Sequence, residues 1–164
     1  MDLLTRFNAT IARYCMYGVV AGVFVLVAVV TWQVFGRYVL NDTPTWAEAV
    51  ALVLVLYVTL IGASVGVRDS GHIGMESFLV LLPERARHGF EILIHILTGT
   101  FGAVMAWYGY DLAAAVAPYK MPLLGISEAV NHVPLVIAGI LITLFSIEHV
   151  IALVRGIEVE PSWH

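Results

Sequence analysis

Glu91 and His95 lie four residues apart, and Glu148 and His149 are adjacent; these four side chains are the best equipped for chemistry in the chain. At i and i+4, Glu91 and His95 share one face of any helix that carries them. A carboxylate and an imidazole on each of two facing helices can hold a metal ion, relay a proton or hydrogen-bond a quinone-like group. The spacing argues against a metal, because neither segment contains the Glu-x-x-His pair used by carboxylate metal sites in helical bundles. The expected arrangement is an interhelical polar layer of Glu91, His95, Glu148 and His149, since buried polar groups find partners. No residue is assigned a catalytic, cofactor-binding or metal-binding role.

Other charged groups cluster where apolar runs stop. Arg37 and Glu48 flank a short loop and can approach each other across it; alternatively Arg37 reaches lipid phosphate and Glu48 serves the start of its own helix. Trp46 beside them suits the headgroup belt. Arg68 and His72 follow the next apolar run, either as headgroup and turn residues or as a pair that bonds carbonyls of another subunit. Asp111, Ser127, Asn131 and His132 sit near the ends of later runs and read as interfacial.

The elements that must position these groups are membrane helices. Of 164 residues, 60% are hydrophobic and only 12% charged, with a mean hydropathy of +0.91. Such a composition excludes an ordinary soluble domain. The formal charge of -4 argues against nucleic acid. A single cysteine, Cys15, gives neither a disulfide framework nor a zinc site within one chain.

The apolar runs predict an all-α integral membrane protein with four transmembrane helices over about 14–35, 46–67, 89–114 and 128–154, all in one domain. The first is read as an uncleaved signal anchor. Pro44 separates the first two spans, and Thr45 is the expected N-cap of the second, with Glu48 in its first turn. Gly18 with Gly22, and Gly62 with Gly66, are candidate close-packing pairs. Pro134 is expected to kink the fourth span. Residues 68–88 mix short apolar runs with charge and read as an interfacial helix between spans two and three. Arg6, Arg13, Arg68, Arg85, Arg87 and Arg155 fall on one side and only Arg37 and Lys120 on the other, which predicts cytoplasmic termini.

Several short motifs stand in a distinctive order: F-G-R-Y at 35–38, T-W-A-E at 45–48, L-I-G-A at 60–63, R-D-S-G-H-I at 68–73 and N-H-V-P-L at 131–135. With the span count, they resemble the DctQ family, the small membrane subunit of tripartite ATP-independent periplasmic (TRAP) transporters. The chain departs from the family pattern at Ala49, where many members carry a second acid, and at Tyr57, where tryptophan is common. The resemblance implies a small scaffold subunit in the bacterial inner membrane, without a cofactor. Its implied partners are a large multi-span transport subunit, which is sodium-coupled and moves as an elevator, and a periplasmic substrate-binding protein that delivers an organic acid or related anionic solute. It further implies interface or structural roles for Arg37, Trp46 and Glu48 on the exterior side and for Arg68 and His72 on the cytoplasmic side. The alternative is a four-helix anchor of a redox or haem-binding complex, with His95 and His149 as axial ligands.

Overall fold

The computed structural model describes residues 2–42, 44–69 and 84–156. Four long helices account for most of them: α1 (Asp2–Tyr38), α2 (Thr45–Asp69), α3 (Glu84–Val116) and α4 (Val133–Arg155), with a 3-10 turn over Glu128–Asn131 before α4. Apolar stretches long enough to cross a bilayer run over Thr5–Tyr38, Thr45–Asp69, Arg87–Val116 and Glu128–Arg155. Valine-rich sequence such as that of α1 forms helix readily here, because hydrocarbon leaves the backbone no alternative hydrogen-bond partner.

Three boundaries differ from the sequence expectation. Residues 2–13 continue α1, so that helix starts well before the span expected from residue 14. Thr45 is the first residue of α2, so it does not cap it from outside. Pro134 occupies the first turn of α4, where a missing N–H leaves no bond unmade, so it starts the helix and does not kink it. The preceding 3-10 turn absorbs residues assigned to the fourth span, and its Ala129 N–H donates to Ser127 Oγ at 3.3 Å. Of the expected interfacial segment 68–88, Arg68 and Asp69 end α2 and residues 84–88 begin α3; residues 70–83 lie outside the described residues.

α4 is the central element. It packs along both α2 and α3, while α1 packs along α2 and touches α4 only near one end. Its buried side includes Pro134, Ala138, Leu141, Phe145, Glu148 and Ala152. Ala12, Val65, Leu141 and Phe145 form the apolar centre where α1, α2 and α4 meet.

The tightest crossing is between α3 and α4. A Cβ added at Gly139 would lie 2.5 Å from Ala106 N and 2.6 Å from Gly102 O, and one at Gly102 would lie 2.9 Å from Gly139 O. Two backbones therefore touch, which any larger residue would prevent. Thr143 Oγ1 is 2.8 Å from Gly139 O in its own helix and 3.3 Å from Gly99 O across the crossing. The candidate pairs on α1 and α2 divide: Gly22 meets Val58 and Gly62 meets Val19, whereas Gly18 and Gly66 have open space beside them.

Gly139→Leu is accordingly expected to force α3 from α4 and destabilise the bundle by about 1–3 kcal/mol or more, the usual range for overpacking. Gly66→Ala should leave the thermal melt in detergent unchanged or slightly raised.

Candidate functional site

At one end of the bundle the four helices meet around buried charge. Arg68, in the last turn of α2, is 1% exposed, and Glu148, late in α4, is fully buried. Arg68 Nη2 donates to Glu148 Oε1 and Arg68 Nε to Glu148 Oε2, both at 3.2 Å. The third guanidinium nitrogen, Nη1, donates to Asp69 Oδ1 at 2.9 Å. The planar fork of arginine suits two-point binding of a carboxylate, and a cation here also opposes the negative end of the α2 dipole.

α1 reaches the same point through Asn8, whose Nδ2 donates to Glu148 Oε2 at 2.9 Å. A carboxylate accepts only, so this contact fixes which end of the amide faces it. Asn8 Oδ1 is buried with no hydrogen-bond partner among the described residues. α3 joins through a ring: His95 stacks on His149 with centroids 4.5 Å apart and planes inclined by 5°. His149 Nε2 lies 2.9 Å from the backbone oxygen of Arg68, at the carbonyl-rich end of α2. Because a carbonyl only accepts, the His149 proton resides on Nε2.

Of the four residues expected in a polar layer, His95, Glu148 and His149 come together here. Glu91 is half-buried and pairs along its own helix with Arg87, Nε to Oε1 at 2.8 Å. The node also recruits Arg68, which the sequence placed in a separate pair with His72. His72 itself lies outside the described residues. Asn8 and Asp69 were not singled out in the sequence. Nothing in the sequence marks Asn8; the structure places it one helical turn before the buried Ala12.

Arg37, Trp46 and Glu48 sit at the opposite end of α1 and α2, and all three are exposed. No ion pair joins Arg37 to Glu48 among the described residues. Arg37 in the last turn of α1 and Glu48 in the first turn of α2 each oppose their own helix dipole.

Chemically the node is a fastening. All three guanidinium nitrogens and both oxygens of Glu148 are engaged within it. Nor does the histidine pair suit a haem iron. Axial ligation needs a ring nitrogen from each imidazole aimed at a common centre, whereas these rings lie face to face and His149 Nε2 is committed to a carbonyl.

Removing one member of a buried ion pair strands the other in low dielectric, so Arg68→Met is expected to cost about 3–5 kcal/mol. The double variant Arg68→Met/Glu148→Leu should recover part of that loss, as read by thermal melts of the purified chain in detergent.

Comparison with known proteins places this architecture. Residues 26–156 match the family model described as "Tripartite ATP-independent periplasmic transporters, DctQ component". The chain is 30% identical over 131 residues to the sialic acid TRAP transporter small permease protein SiaQ of Vibrio cholerae serotype O1, an alignment that covers 79% of this chain and 75% of that one. The family match contains Arg37, Arg68, His95 and Glu148, while Asn8 precedes it. Four bilayer-length helices held by one buried charge cluster thus belong to a multi-pass protein of the bacterial inner membrane, and the chain is a member of the DctQ family of TRAP transporter small permease subunits.

Proposed function

We propose that the chain is the stationary scaffold of a three-part importer. A large multi-span subunit carries the solute by a sodium-coupled elevator movement, and a periplasmic binding protein delivers an organic acid or related anionic solute. The sialic acid named for the relative from Vibrio cholerae belongs to that chemical class. Both termini and the Arg68 node then face the cytoplasm, in keeping with the arginine bias, and residues 68–88 anchor the bundle at that interface. In this reading His72 joins Arg68 in serving the cytoplasmic side.

The observation that carries the proposal is the placement of polar groups. The ion pair is closed inside the bundle at one end, and the outward surface is apolar, with Phe24, Trp32, Phe101 and Trp107 all at least half exposed. A carrier needs polar groups along a path through the middle of the bilayer; a scaffold needs fixed helices and an adhesive exterior. Exposed Arg37, Trp46 and Glu48 would brace the exterior side against the large subunit and the headgroups.

Proteoliposomes holding this chain with the large subunit, supplied with binding protein and an inward sodium gradient, should accumulate the solute, and vesicles holding the chain alone should not. Uptake by the chain alone would overturn the scaffold reading. Arg37→Ala or Glu48→Ala should lower recovery of the large subunit with the chain in mild detergent while costing the isolated chain no more than about 1 kcal/mol, the size of an exposed helix-end charge effect.

A further inference from the structure

At the end of the bundle opposite the Arg68 node, residues 117–127 join α3 to the 3-10 turn, and they fold as a closed hairpin. Met121 N–H donates to Ile126 O and Glu128 N–H to Tyr119 O, both at 2.9 Å, on either side of the bridge between Lys120 and Ser127. Gly125 N–H donates to Met121 O at 2.8 Å, and this turn needs its glycine, because φ there is +68°. Ser127 Oγ ties the returning arm to Ala117 O at 2.8 Å.

The tip is the wrong kind for a loop in water. From Met121 to Ile126 no side chain is polar, and Leu123 and Ile126 are 54% and 44% exposed. Behind the tip stand Tyr119, 65% exposed, and the exposed Lys120. An apolar tip backed by a tyrosine and a lysine suits a segment that dips into acyl chains while its polar ends stay among headgroups.

The height of the hairpin agrees. Trp107, Tyr108 and Tyr110 are exposed in three directions around α3, as a girdle at the headgroup boundary would be. Gly109, inside that girdle, packs against Leu135 and Val136 of α4. From Gly109 α3 climbs about 10 Å to its end at Val116. The chain then returns, for Met121 Sδ lies 3.6 Å from Nδ2 of Asn131, which precedes Leu135 by about one turn. Met121 therefore stands only ~6 Å beyond the girdle, about the depth of one headgroup layer.

We infer that residues 117–127 are a membrane-inserted anchor, with Leu123 and Ile126 among the acyl chains of the nearer leaflet and Lys120 against phospholipid phosphate. The inference needs only that the four helices span a bilayer, and it stands apart from the scaffold reading. A soluble partner would have to descend to headgroup level to cover this tip, whereas lipid is already there. An anchor so placed opposes vertical displacement of α3 and α4, since lifting them would draw the apolar tip into water.

The test is a nitroxide attached through a cysteine at Leu123 or Ile126, in a Cys15→Ala background that removes the native thiol. The purified full chain is reconstituted into vesicles of phosphatidylethanolamine and phosphatidylglycerol. Collision of the label with oxygen, which concentrates in lipid, is then compared with its collision with a water-soluble nickel chelate. Phe24, exposed along α1, supplies the lipid reference, and Asp42, exposed in the other loop at the same end, the aqueous one. Both hairpin labels are expected to favour oxygen several-fold more than the Asp42 label does. Leu123→Asp should shift the Ile126 label back toward the Asp42 value without changing the melt of the chain in detergent. Hairpin labels that match Asp42 from the outset would overturn the inference. The same labels are read in the chain copurified with its large subunit. Loss of collision with both reagents there would mean that protein covers the tip, and would also overturn it.

Discussion

The Arg68–Glu148 pair is the constraint on which the rest of the bundle depends. Two charges withdrawn from water must remain together, so the end of α2 cannot move relative to α4 without exposing one of them to hydrocarbon. Once those helices are fixed, Asn8 ties α1 to the same carboxylate, and the stacked histidines bring α3 to the same level. Packing between apolar helices in lipid is weakly directional, because side chains and acyl tails are equally greasy. A buried ion pair supplies the missing direction: it specifies which faces meet and at what height.

The glycine crossing of α3 and α4 does complementary work. There, specificity comes from shape, since Gly102 and Gly139 let two backbones touch where any larger side chain would hold them apart. Charge sets the register at one end and shape sets the separation further along. Both devices converge on α4, and the bundle can therefore stay rigid while keeping a largely apolar exterior. That combination is what the proposed scaffold role would require of the bundle.

Span number and helix type were legible because apolar runs of ~20 residues match the thickness of a bilayer and exceed what a strand or a soluble core helix requires. The level of the polar groups was legible too: His95, Glu148 and His149 do share one end. Partner choice was harder. Glu91 shares a helix face with His95, as its i,i+4 spacing requires, yet a basic residue one turn earlier, Arg87, pairs with it in place of the interhelical layer. Arg68 looked like a headgroup residue because it ends its helix, and nothing local shows that a carboxylate eighty positions later awaits it. Pro134 invited a kink only because the start of α4 was set too early, and proline at a first turn has the opposite meaning from proline in mid-helix. The Gly102–Gly139 contact escaped because its two halves lie on different helices, whereas the glycine pairs visible in sequence each lie on one.

The position of α4 has a consequence for how the protein is made. It is the last of the four helices in chain order, yet it stands between α2 and α3 and supplies the carboxylate that Arg68 requires. As the chain emerges from the ribosome, α1 and α2 can meet at once, but α3 enters the bilayer before its principal neighbour exists. Arg68 must meanwhile rest against headgroups or water at the membrane surface. Completion of the bundle is thus withheld until the final span is inserted, and that single event draws the arginine inward, seats α3 and finishes the surface offered to any partner. A chain that stops short of α4 can therefore pair α1 with α2 but lacks both the carboxylate that Arg68 requires and the helix against which α3 packs.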